Sequence, residues 1–141
     1  MRYFNKSEFL NDPDKVDPEI METADNLRGL AGVPVHVHVA WSNSGHSKNS
    51  WHDKDGVGKA LDFHFGGRLT YIEQFACIRF FPNLKGIGFY PWWNNPGWHI
   101  DLRPVDLFWM SPVSGKYIYG AESLMKKLFA SSGRGEAIDL R

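Results

Sequence analysis

The stretch Ser50–Phe65 reads SWHDKDGVGKALDFHF. Its last six residues alternate: Leu61, Phe63 and Phe65 fall on one side of an extended chain, and Ala60, Asp62 and His64 on the other. That period predicts a strand over KALDFHF with one face in a core. The opposite face carries a carboxylate and an imidazole, and His52, Gly56 and Gly58 come just before it.

Two further segments repeat the pattern. In VPVHVHVA, Val33, Val35, Val37 and Val39 share one face, and His36, His38 and Ala40 the other. In WHIDLR, Trp98, Ile100 and Leu102 oppose His99, Asp101 and Arg103. If the three strands share a sheet in the matching sense, His36, His38, Asp62, His64, His99 and Asp101 lie on one polar surface, with His52 at its rim. Histidines and carboxylates clustered without thiolates suit Zn²⁺ or a similar divalent ion. The same residues also fit an ordinary solvated sheet face, and no short metal motif such as HExxH decides between the two.

Helices are expected between the strands. Asp17 and Pro18 mark the start of one, Val16, Ile20, Ala24, Leu27 and Ala31 form its apolar stripe, and Gly32 closes it. Thr70 and Glu73 have capping-box spacing at the head of TYIEQFACIRFF. AESLMKKLFASS reads as a terminal helix, followed by a loosely held tail. GIGFYP and WHIDLR read as strands joined by WWNNPG. The long polar segment WSNSGHSKNSWHDKDGVG reads as a functional loop in which His46 is solvated.

At 141 residues, 43% hydrophobic and 23% charged, the chain suits one globular domain spanning residues 1–141. Lys+Arg and Asp+Glu are equal at 16 each, which argues against a nucleic-acid partner. The single cysteine, Cys77, excludes an intrachain disulfide and a thiolate zinc cage. No run approaches the ~18 apolar residues of a membrane span, and MRYFNKSEFLNDPDK lacks the apolar region of a secretion signal.

SWHDKDGVGKALDFH followed by GWHIDLRP resembles the M15 peptidase and hedgehog-like metallopeptidase superfamily. The shared pattern is Ser-x-His, then Gly-x-Ala-x-Asp, then a later His on a strand, here in the branch with a His-x-Asp strand. The resemblance implies an α+β fold: a small antiparallel sheet with helices packed on one face. It implies zinc held by His52, Asp62 and His99. It also implies a zinc-dependent peptidase that hydrolyses an amide in peptidoglycan stem peptides or crossbridges, as phage lysins of this type do. Asp101 is then either the general base or the partner that orients a ligand imidazole.

His64, His36 and His38 are expected to be polar neighbours rather than ligands. Many relatives carry an arginine in a Ser-Gly-Tyr-Arg segment, where AWSNSGHSKN has none, which tilts the expectation toward an endopeptidase. Gly97 and Pro96 stand where other branches place a catalytic Glu or His, so proton handling falls to Asp101. The alternative is a non-catalytic, zinc-stabilised binding module of the same fold. The missing secretion signal fits a phage or prophage protein that reaches the wall through lysis or the virion.

Overall fold

Asp17 opens the first helix by accepting a hydrogen bond from the Glu19 amide at 2.8 Å, with Pro18 at the first helical position. This helix, α1 (Pro18–Ala31), ends at Gly32, whose φ of 68° is the left-handed cap that the sequence implies. The computed structural model describes residues 1–44 and 49–132, the side chains of 131 and 132 excepted. His46 and the tail 133–141 lie outside the described residues.

The strands follow as β1 (Val35–Val39), β2 (Ala60–Phe65), β3 (Gly86–Tyr90), β4 (Gly97–Asp101), β5 (Leu107–Met110) and β6 (Ile118–Tyr119). Helix α2 (Tyr71–Arg79) lies between β2 and β3, and α3 (Ala121–Ser132) follows β6. Thr70 and Glu73 form the anticipated capping box. The architecture is α+β, with one sheet in the order β1-β2-β4-β3-β5-β6.

The first four strands of that order pair antiparallel, as expected. The fifth does not: β5 runs parallel to β3, so the sheet is mixed. The reason lies in the short link after β4. Asp101 and Leu107 both pair with Gly86, so residues 102–106 step across the end of β3 and the chain returns on its far side. The sequence reading contained neither β5 nor β6. LFWM is a short continuous apolar run, and periodicity cannot assign such a run.

Register puts the apolar faces together. Leu61 pairs with Ile100, Phe63 with Trp98 and Val37, and Phe65 with Val35. These residues join Ile87, Phe89 and the buried side chains of α1, α2 and α3 in one core. Phe75 of α2 stacks on Trp98 at 5.9 Å, and Gln74 accepts the Trp98 indole N–H at 2.7 Å. Complete burial of Phe63 and Phe65 is worth roughly 1.5–3 kcal/mol each, which pins β2. It also fixes which way Asp62 points, because a one-residue slip would carry the carboxylate into the core. Among the described residues no helix is long and apolar enough to cross a membrane.

Candidate metal centre

Pairing of β2 with β4 sets Asp62 directly opposite His99 and Ala60 opposite Asp101. Pairing of β1 with β2 sets His36 opposite His64. The polar surface inferred from alternation is therefore assembled on one sheet face. His52 reaches it from the loop by a separate route.

Ser50 caps a short 3-10 turn, Trp51–Asp53, by accepting the His52 amide at 3.1 Å. The His52 carbonyl then accepts Ser42 N–H at 3.1 Å, and the Trp51 carbonyl accepts Lys59 N–H at 2.8 Å. These bonds clamp the turn between the end of β1 and the start of β2. Gly58 is needed for the same approach: a Cβ there would lie 2.9 Å from the Trp41 backbone. The serine before His52 and the glycine before Asp62 thus have local physical reasons.

His52, Asp62 and His99 each offer one ligand atom, and these atoms lie within 4.8 Å of one another. His52 Nε2 is 3.1 Å and His99 Nδ1 2.9 Å from the same oxygen, Asp62 Oδ1. The other nitrogens also meet acceptors. His52 Nδ1 lies 2.9 Å from the Ala40 carbonyl, and His99 Nε2 lies 2.7 Å from Asp101 Oδ2. A neutral imidazole has one N–H. With that hydrogen on the outer acceptor, each ring aims a lone pair at a carboxylate oxygen. A cation between them satisfies all three donors at once, and the outer bonds fix tautomer and ring angle, as around protein-bound metals. The group can hold a metal ion, and its N₂O donor set fits borderline or harder divalent ions.

Without an ion, the charges of the site hold a proton on His99 towards Asp62 in the place a cation would take. Burial opposes the charged forms, but the hydrogen bonds prevail. Those from His52 and His99 hold the Asp62 carboxyl well below the usual carboxylate range. Those from Arg103 and His99 do the same for Asp101. Burial likewise disfavours charge on His99, yet its bonds to Asp101 and Asp62 push it up to about 9. His64 moves the opposite way, down to about 4, through burial and the charges of His38 and His36.

Asp101 is fully buried and heavily engaged. Arg103 donates to it through Nε at 2.8 Å, Nη2 at 2.6 Å and its backbone amide at 3.1 Å. The guanidinium also sits over the Trp109 ring, 5.1 Å from its centroid. Alternation places Arg103 on this face but assigns it no role.

Tyr90 and Trp109 are additions that the sequence reading lacks. Trp109 Nε1 donates to Tyr90 Oη at 2.9 Å, and among the described residues no acceptor takes the Tyr90 hydroxyl proton. The alternation of GIGFY, with Gly86, Gly88 and Tyr90 opposite Ile87 and Phe89, was the available signal for Tyr90. Trp109 had none, because its strand was not legible.

Two cavities meet at Asp62. One, of about 310 Å³, is lined by Trp51, His52, Asp62, Tyr90, His99 and Trp109, among others. The other, of about 500 Å³, is lined by His38, Asp62, Trp92, Trp93, Asn94 and Asn95, among others. His52, Asp62 and His99 all border the first cavity, and Asp62 also borders the second. No family model, curated protein or solved structure matches the chain.

Proposed function

We propose that the chain is a zinc-dependent peptidase that hydrolyses an amide bond in peptidoglycan stem peptides or crossbridges. One observation carries the reading: two imidazoles, each with an outer acceptor, converge on one carboxylate oxygen at the junction of two open cavities. A structural zinc site closes its ligand shell, whereas a catalytic one keeps three protein ligands and an open position. Three ligands that together border an open cavity fit the second kind.

His52 Nε2, Asp62 and His99 Nδ1 would hold the zinc. When bound, the ion supplies Lewis-acid chemistry, acidifying water and polarising a carbonyl. The protein's own groups do the rest. Tyr90, its oxygen engaged by Trp109, is left with a hydroxyl proton to donate to a substrate oxygen as negative charge develops there. Asp101, clamped by Arg103 on the outer nitrogen of His99, orients that ring rather than carrying a proton in this reading. Cavities on both sides of Asp62 leave room for substrate on either side of the scissile bond, which favours endopeptidase action.

A non-catalytic, zinc-stabilised module is the second reading, and a specific observation favours it. Asp62 is the only carboxylate lining the 310 Å³ cavity among the described residues, and it is a ligand candidate, so no spare carboxylate stands ready as general base. Digestion of purified peptidoglycan, with mass analysis of the released muropeptides, separates the two. The peptidase reading expects peptide-bond products from wild type and none from Asp62→Ala. Equal release by both proteins, across several wall chemistries, overturns it.

A further inference from the structure

The same sheet face holds a second group of imidazoles beside the triad. His36 pairs across the strands with His64, and their rings stack at 4.8 Å. The pairing of β1 with β2 shifts register between Val37 and Val39, and His38 lies at that irregularity. His38 Nε2 and His64 Nδ1 face each other in direct contact, with ring centroids 4.7 Å apart.

These rings differ from His52 and His99 in one respect. Each triad imidazole gives its outer nitrogen to a carbonyl or carboxylate. Among the described residues, His38 and His64 hydrogen-bond only to one another, and His36 makes no hydrogen bond. Two nitrogens on adjacent strands, held nose to nose by the backbone and free of competing acceptors, can chelate a cation with little loss of side-chain entropy. Nitrogen ligands without thiolate or carboxylate select borderline ions such as Cu²⁺, Ni²⁺ and Zn²⁺ over Ca²⁺ or Mg²⁺. His38 also lines the 500 Å³ cavity, which leaves the remaining coordination positions open to water. That cavity reaches Asp62, so an ion held here stands on one approach to the triad.

We propose that His38 and His64, with His36 stacked against His64, form a second divalent-metal site: a two-histidine clip for a borderline cation, distinct from the His52–Asp62–His99 group. The proposal does not depend on peptidase activity.

Titration calorimetry of the full chain with Ni²⁺ and with Zn²⁺ at pH 7.5 tests it, with circular dichroism as a check on folding. Wild type should bind two equivalents. His64→Gln, at a half-buried position, and His38→Gln, at an exposed one, should each weaken one equivalent at least tenfold and leave the other unchanged. His52→Ala should remove the complementary equivalent. Cu²⁺ bound to His52→Ala should show two coordinating nitrogens by electron paramagnetic resonance. A single equivalent in wild type that survives His38→Gln and His64→Gln, or two unchanged equivalents in those variants, overturns the clip. Loss in His64→Gln with no change in His52→Ala would uphold the clip while removing the triad, so the two ideas fail separately.

Discussion

His99 stands between two aspartates, with Nδ1 2.9 Å from Asp62 Oδ1 and Nε2 2.7 Å from Asp101 Oδ2. One side of the ring is available to a metal, and the other is fixed by a carboxylate that is itself gripped by Arg103. The consequences can be measured separately.

Asp101→Asn keeps the ligand set but weakens the group that orients His99. Loss of such an outer partner typically lowers metal affinity by 10- to 100-fold. Competition with a chromophoric chelator should show a drop of about that size at the triad, with the stoichiometry at saturation unchanged. Wild-type affinity in Asp101→Asn would mean that Asp101 does not orient His99.

Metal binding should release a proton. With His99 at about 9 in the metal-free protein, Nδ1 carries a proton at neutral pH that an incoming ion must displace. Affinity should therefore rise about tenfold per pH unit below about 9 and level off above it. Calorimetry at pH 7 in buffers of different ionisation enthalpy should show close to one proton released per ion at the triad. Buffer-independent heats would contradict this.

Gly86→Ala tests the packing beneath Asp101. Gly86 pairs with Asp101, and a Cβ built on it would overlap the Asp101 carboxylate. Relief requires moving a buried, doubly held side chain, a shift costing about 1–3 kcal/mol. Chemical denaturation should show that loss, and metal affinity should fall with it. A stability change below about 0.5 kcal/mol would show that the sheet absorbs the methyl group.

Tyr90→Phe removes the hydroxyl proton and keeps the ring. Under the peptidase reading, kcat should fall about 100-fold with KM within about threefold, since the donor acts as charge develops. Metal content should not change. A rise in KM with kcat intact would assign Tyr90 to substrate binding instead.

Asp25 offers a pH test away from the metal. Its carboxylate accepts the backbone amides of Arg2, Tyr3 and Phe4 at 2.8–2.9 Å. Burial pushes its pKa up, but those bonds prevail and hold it below the usual value. A depressed folded-state pKa stabilises fully above the unfolded value near 3.9, and the contribution disappears as pH falls through the folded value. Asp25→Asn should therefore cost about 1–3 kcal/mol at pH 7 in denaturation, and the gap from wild type should narrow below about pH 4. A gap that stays constant down to pH 2 would rule out the charge as its source.

Alternation alone determined which side chains of Ala60–Phe65 and of WHIDLR face the core and which face away, because side-chain direction in a strand is a local property with period two. It placed Asp62, His99 and Asp101 on polar faces, while His52, on the loop, was singled out as a ligand only by the resemblance of the Ser-x-His and Gly-x-Ala-x-Asp pattern. It could not give the register that sets Asp62 opposite His99, 37 residues away. Nor could it show that Arg103 holds Asp101, that Trp109 arrives on a parallel strand to engage Tyr90, or that His38 and His64 meet. Those relationships depend on strand order and on a register shift between Val37 and Val39. They come from packing the whole core, so no segment of the chain encodes them by itself.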